Sequence, residues 1–464
     1  MRRTSSRVGA GAAVTAATAL LLIGCTSDTA DNTPEAPAGA VDTDAPVTIS
    51  ISDLPTTENQ ESRDAMLARV DAFEELYPDI TVEATETVWT ADTFQAMLAG
   101  GAMPTVMSVP FTEVASLIER DQVADITDYI ADSEVLAHLN PAVADHALDA
   151  DGNIRGIPIS AYPMGLIYNR ALFEQAGLDP DDPPQTWDEV REAAIAIEEN
   201  TDAQGFQTMT TDNTGGWVLT TMSYAFGDTL VNEDGTANVD NEATAQALEF
   251  YRSLRWDDNA MGSNFLLNYG DANNAFAAGQ VGMFVQGADQ YWYAVVNLGM
   301  DPDDFGVAPL PQDSDGLGTL GGGNVAVVDP AASPEEIAAA VTWIEFFYFN
   351  RFLDEEAAVT RAESDVAAGE AVGMPEIRIV GADEYERWLG WVADYVNVPR
   401  ENFELFLSTV EDVPIVDEPA PSGQEIYAAL DPVVQAVLTR QDADIDQLLG
   451  DAQATVQSVL DAAE

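Results

Sequence analysis

Cysteine is almost absent from this chain. Cys25 is the only one in 464 residues, so no intrachain disulfide framework can hold the fold. Lysine is missing altogether: all 17 basic residues are arginine, against 81 Asp and Glu, for a formal net charge of −64. A field of that sign repels nucleic acid and anionic headgroups, which excludes DNA or RNA binding as a role. Histidine occurs only as His138 and His146, in a polar helical stretch with no cysteine partner. Both read as solvated, and neither a histidine metal site nor any cofactor is expected. Long apolar runs are missing too. The stretch 8–23 is rich in Ala, Gly and Thr, shorter and weaker than the roughly 20 apolar residues of a membrane span.

What is present is globular, with 46% hydrophobic and 8% aromatic residues. A chain of 464 residues exceeds what one core supports and implies two or more domains. The acids are spread along the whole chain rather than blocked into a tail. Spread acidity without lysine points to a protein that works in high salt, where screening shortens the range of self-repulsion. Acids this abundant also form pairs at any spacing by chance, so a carboxylate pair alone cannot nominate an active site.

The first segment has the layout of a secretory signal covering residues 1–24. Arg2, Arg3 and Arg7 supply the positive start, no acid precedes Asp28, and the apolar core ends in Leu20-Leu21-Leu22-Ile23-Gly24 ahead of Cys25. Leu22-Ile23-Gly24-Cys25 resembles the lipobox of bacterial lipoproteins. The resemblance implies cleavage before Cys25 and a lipid on its sulfur, anchoring the protein to the outer face of the cell membrane. Arg2-Arg3 leaves Sec and twin-arginine export both open. Residues 25–46, beginning with that cysteine, have almost no large apolar side chain. They cannot bury enough surface to offset chain entropy and read as a disordered tether.

Beyond the tether, strands and helices alternate. Val47-Thr48-Ile49-Ser50-Ile51 is β-branched and alternating. Met66, Leu67, Val70, Phe73 and Leu76 recur at helical spacing and stop at Pro78. Ile80 to Ala84 and Val106 to Val109 are further strands, with helices at 94–99 and 111–119. A second strand region runs from Ile157 to Tyr168. Thr186 with Glu189 three residues on marks a capped helix start. Helices follow at 244–254, 335–349, 383–396, 423–438 and 444–460. Asp149, Asp151, Gly152 and Asn153 read as a hairpin turn rather than a calcium loop, because the full ligand series is missing. The alternation argues an α/β layer around a largely parallel sheet.

Five stretches in order resemble the family 1 extracellular solute-binding proteins of ABC importers. They are FEELYPDITV at 73–82 and MLAGGAMP at 97–104, where Thr105 stands in place of the family's usual Asp. The third and most specific combines Gly156-Ile157-Pro158 with LIYNRALF at 166–173, Ala176-Gly177-Leu178 and PPQTWDE at 183–189. AFAAGQVGM at 275–283 is the fourth. Pro309-Leu310-Pro311 with Gly321-Gly322-Gly323 is the last. The resemblance implies an α/β, two-lobe periplasmic-binding-protein-like fold with crossing hinge segments and a ligand cleft between the lobes. One lobe is expected at 47–160 and 320–350, the other at 161–319 and 351–464. It also implies a monomeric binding protein without catalytic activity, partnered by transporter permease subunits. The expected ligand is a mono- or oligosaccharide.

A sugar site needs flat aromatic platforms and planar polar groups in a partly apolar cleft. Loops after strands supply Asp53, Trp89, Ser108 and Tyr162. Trp217, behind Gly215-Gly216, is expected in a loop of the second lobe. Gln286-Gly287-Ala288-Asp289 departs from the family pattern, which often has a stacking Trp where this chain has Asp289. Trp292, between Tyr291 and Tyr293, could replace that platform, or the ligand could be smaller, more polar or cationic. Gly323 matches the family's glycine loop at the cleft, and Tyr427 approximates an aromatic used for stacking. Tyr168, Trp187, Trp388 and Trp391 read as packing residues. Two alternatives stay open: a polyamine, osmolyte or other small polar solute in the same fold, and a lipid-anchored glycosidase working through paired carboxylates. The high-salt reading has a direct check. The thermal unfolding temperature should rise in molar salt, and a transition that salt leaves unmoved would exclude it.

Overall fold

β-branched alternation dictates the first strand, β1 (Val47–Ile51), and helix Gln60–Leu76 returns the chain to β2 (Ile80–Ala84). The computed structural model describes residues 46–463 apart from Asn59, Asp132, Glu233, Ala420 and Pro421. The signal segment, Cys25 and all but the last residue of the tether lie outside the described residues. β1 pairs β2 in parallel, from Val47 opposite Ile80 to Ile51 opposite Ala84. β3 (Val106–Pro110) joins β1 on the other side, also in parallel.

The remaining strands are β4 (Ile157–Asn169), β5 (Gln204–Phe206), β6 (Val281–Gly287), β7 (Phe305–Pro309), β8 (Thr319–Val328) and β9 (Ile415–Val416). The order across the sheet is β2-β1-β3-β8-β4-β6-β5, with β7 on β4 and β9 on β8. The extended region expected from Ile157 to Tyr168 is a single strand of 13 residues. It contains two prolines, and beside the first, Pro158, the register against β8 shifts, an irregularity of the kind at which sheets accept proline.

β4 and β8 carry the architecture. The first half of β4 pairs β8, and its second half pairs β6 and β7. β8 in turn runs from β9 to β3. The fold is therefore α/β with two lobes, joined by two antiparallel strands that cross together. Where they cross, Ser160, Ala161, Tyr162 and Pro163 face Asn324, Gly323, Gly322 and Gly321.

Alternation along each strand feeds separate cores. Val325 and Val327 of β8 pack with Phe94, Met107 and Leu117, while Ala326 and Val328 turn to the cluster of Ile49, Phe73 and Trp343. In β4, Leu166 and Tyr168 join Trp187, Phe206 and Ile426. Thr186 forms the expected capping box with Glu189, and Trp187 stacks on Phe226 at 5.2 Å between ring centroids. Tyr168 is buried and donates its hydroxyl to the Pro180 carbonyl at 2.8 Å.

The helix expected at 335–349 changes pitch part-way, from α over Pro334–Ile344 to a π turn at Glu345–Phe349. The segments beyond it contact parts of the chain far away in sequence. Asn140 Nδ2 donates to the Arg378 carbonyl at 2.8 Å, and the Phe403 ring lies 5.7 Å from Tyr291 and 6.0 Å from Phe305.

Gly323 is glycine because the crossing strands leave no room. A Cβ there would lie 2.2 Å from the Ser160 carbonyl oxygen and 3.0 Å from Ala161 Cα. Main chain on both sides prevents easy relief. Gly323→Ala should therefore cost about 1–3 kcal/mol of stability, read as a lower urea midpoint at unchanged m-value.

Candidate functional site

The crossing strands shape a seat for Tyr162. A Cβ at Gly322 would fall 2.3 Å from the Tyr162 hydroxyl, and one at Gly287 would fall 3.1 Å from its ring. Two glycines thus let the ring lie against backbone. Gly287 ends β6, and there the Ala288 amide donates to the Pro163 carbonyl at 3.0 Å. The chain then turns Asp289 back, so that the same Gly287 Cβ would lie 2.4 Å from its Oδ1. Asp289 is open to solvent but walled in by protein, and that desolvation holds its carboxyl above the usual carboxylate range.

Glu418 follows β9 and reaches the same place. Its Oε2 is buried without a hydrogen-bond partner. Burial, with Asp417 adding, pushes its carboxyl up to about 7. Three tyrosines, Tyr162, Tyr224 and Tyr427, are raised by burial first and by the Glu418 charge second. Tyr427 is 1% exposed, and its hydroxyl is likewise buried and unpartnered. Tyr269 donates to Gln290 Oε1 at 3.2 Å, and burial with Asp289 pushes its phenol up to about 12. No arginine is among the groups that set the Asp289 or Glu418 carboxyls. The group offers an aromatic face, two carboxylates and the unpartnered Tyr427 hydroxyl. Those are acceptors and donors for a hydroxyl-rich or cationic molecule. Among the described residues no cluster of three or more His, Cys, Asp or Glu is placed to hold a metal.

A second group forms where β1 and β3 end. Asp53 adopts a left-handed conformation (φ 67°), and its amide donates to the Thr87 carbonyl at 2.8 Å. Ser52 donates its hydroxyl to the Asp53 carboxylate and accepts from the Ser108 amide at 3.2 Å. Trp89, two residues past Thr87, has a buried indole nitrogen without a partner. Asp53 and Ser108 are thus linked through Ser52, while Asp289, Glu418 and Tyr427 gather around Tyr162.

The other candidates have roles of their own in the structure. Gly323 is buried inside the strand pair. Trp292 is 41% exposed and donates its indole N–H to Glu370 at 2.7 Å. Trp388 is buried, as expected of a packing residue. Trp217, expected in a loop, lies in the first turns of helix Thr214–Phe226. The glycines before it do not break the helix, because Asp431 of helix Gly423–Thr439 accepts from the Asn213 and Gly216 amides, both at 2.9 Å. Gly216 also lets the two helices touch: a Cβ there would lie 2.2 Å from the Tyr427 carbonyl oxygen.

His138 is exposed, as expected, but His146 is not simply solvated. Its Nδ1 lies 2.5 Å from Asp417 Oδ1, and its ring is 5.3 Å from that of Phe111. β9 causes this by pairing with the start of β8 and carrying Asp417 over the His146 turn. Sequence reasoning missed Glu418, Tyr269 and Gln290. One acid among 81 carries no local signal; only the placement of β9 singles it out.

With this geometry in view, the profile of the family described as bacterial extracellular solute-binding protein matches residues 57–351. The chain belongs to that family. A lactose-binding protein of Rhizobium radiobacter is 25% identical over 285 residues, 58% of this chain and 64% of that protein. Matches to curated relatives cover between 23% and 64% of those proteins' lengths. Among solved structures, the cyclic α-maltosyl-1,6-maltose binding protein of Arthrobacter globiformis superimposes with a TM-score of 0.67. It is 23% identical, over 90% of this chain and 100% of that one. UgpB of Mycobacterium tuberculosis, in complex with glycerophosphocholine, gives a TM-score of 0.65 at 18% identity, over 91% of this chain and 100% of that one. The family and these relatives are described as binding proteins, not enzymes.

The His146 pair makes stability pH-dependent. Burial lowers the imidazole pKa, but the Asp417 hydrogen bond and charge, with Asp145, more than reverse this and leave it raised. A raised folded-state value means the contribution is complete below the unfolded pKa of about 6.5 and is lost as pH rises through the folded value. The wild-type melting temperature should fall across that window more than that of His146→Gln. Glu418 titrates nearby in both proteins, so the difference isolates the histidine.

Proposed function

We propose that this chain is the extracytoplasmic substrate-binding lipoprotein of an ABC importer, held to the membrane through Cys25. In this reading it captures a small carbohydrate as a monomer and delivers it to permease subunits. The lobes are 47–160 with 320–350 and 161–319 with 351–464, and they close over the ligand as hinged α/β lobes do. One observation carries the ligand reading. Tyr162 lies on a backbone seat at the crossing, beside Asp289, and feels the charge of Glu418, whose Oε2 is unsatisfied. A pyranose ring presents an apolar face to such a platform, and its hydroxyls donate to carboxylates. Asp53, Ser108 and Trp89 would contact the ligand from the first lobe. The lactose- and maltosyl-maltose-binding relatives support a saccharide.

A second reading keeps the fold and changes the ligand to a cationic or zwitterionic solute. It is favoured by two desolvated carboxylates with no arginine to balance them. The glycerophosphocholine complex of the Mycobacterium tuberculosis protein is in keeping with it.

Calorimetry of the purified protein against oligosaccharides, polyamines and osmolytes separates the two. A saccharide should bind one to one with no cleavage products. Tyr162→Ala should weaken it about tenfold, as removal of an aromatic platform and its buried area does. Binding of cations alone would transfer the assignment to the second reading. A saccharide affinity untouched by Tyr162→Ala would remove that residue from the site.

A further inference from the structure

Four arginines of this acid-rich chain stand together, away from the crossing. Helices Asn350–Leu353, Glu355–Ala367 and Ala382–Trp391, with residues 371–376, enclose a cavity of about 410 Å³ of empty space, its mouth included. Arg351 and Arg361 line it beside Asp365, Glu376, Met374 and Trp388. Arg400 reaches its edge, donating to the Gly373 carbonyl at 2.8 Å. Arg69, stacked over Phe347 at 3.8 Å, feels the charges of Arg361 and Arg351. None of Tyr162, Asp289 or Glu418 borders this space.

The lining pairs Arg351 and Arg361 with Asp365 and Glu376, and Arg400 and Arg69 next to it leave arginine in excess. Asp365 is taken up by Arg361, at 2.8 Å from Nε. Glu376 is the carboxylate facing Arg351 and Arg400, and burial holds it above its usual range despite them. The Arg351 Nε is buried and has no hydrogen-bond partner. Burial, then the like charge of Arg361, brings Arg69 down to about 10. With 81 acids to 17 bases, the ordinary neighbour of an arginine in this chain is a carboxylate. Guanidinium groups gathered around a partly buried cavity repel one another unless an anion lies between them.

We infer that this cavity is a binding site for a small oxyanion, phosphate or sulfate, separate from the solute cleft. The planar guanidinium fork matches the oxygens of such an ion. The open side of Arg361 and the unpartnered Arg351 Nε provide donors at the cavity wall, and Trp388 and Met374 shield them from water.

The test is calorimetric titration of inorganic phosphate into the full mature protein in chloride-free buffer, with sulfate as competitor. One phosphate should bind per chain, displaced by sulfate. Arg361→Gln should weaken it about tenfold or more, as loss of a charged hydrogen-bonding partner does. Ala371→Leu, which fills the cavity without altering charge, should weaken it as well, and circular dichroism will show whether each variant is folded. Tyr162→Ala should leave phosphate affinity unchanged. The proposal is overturned if the wild-type protein binds no phosphate at millimolar concentration, or if both cavity variants bind it normally. It is equally overturned if Tyr162→Ala abolishes binding, which would put the ion in the solute cleft.

Discussion

Residues 160–163 of β4 and 321–324 of β8 run antiparallel in close backbone contact, and the other features of the molecule follow from that approach. Each strand pairs with one lobe at one end and the other lobe at the other, so the pair is at once part of both sheets and the joint between them. Close approach requires glycine on β8, as the 2.2 Å clearance at Gly323 shows. The same run of glycines leaves the Tyr162 ring against main chain. The joint and the floor of the candidate site are one construction.

Electrostatics divides the molecule into two regimes. Several arginines are paired with the plentiful acids: Arg191 with Asp258 at 2.6 Å, Arg170 with Asp181 at 2.6 Å, Arg63 with Glu86 at 2.7 Å. Pairs with such exposed members contribute little each, and they serve mainly to relieve local repulsion. No arginine is among the groups that set the carboxyls at the crossing, whereas the helical cavity with its neighbours Arg400 and Arg69 holds more arginines than carboxylates. A chain this poor in bases keeps its two uncompensated charge clusters, of opposite sign, in separate places. An anionic solute is disfavoured at the first for the same reason that it is favoured at the second.

Much of the fold was legible in the sequence because its signals are local. Alternation at Val47–Ile51, helical spacing from Met66 to Leu76 and the Thr186–Glu189 box each lie within a few residues, and each is realised. Ordered motifs then supplied the two-lobe arrangement. What stayed hidden depends on contacts between distant segments. Trp217 is helical because Asp431 caps its helix from across the lobe, and no local rule anticipates that partner. His146 is paired because the two-residue strand β9 carries Asp417 to it. Glu418 was concealed by sheer abundance: where acids are everywhere, only burial distinguishes one from another. Tyr162 and Asp289 were recognisable as candidates, one at the strand crossover and the other by its departure from a pattern.

The seat beneath Tyr162 also bears on how such a protein diversifies. Its support is main chain, supplied by Gly287 and Gly322, whereas the groups above it are side chains on unrelated segments: Asp289 after β6, Glu418 after β9 and Tyr427 on a late helix. Tyr427, 1% exposed, is held by core packing, whereas exchanges at Asp289 and Glu418 leave the strand pairing intact. The glycines have no such freedom. Descendants of this chain would be expected to differ most in the residues that surround the ring and least in those that carry it.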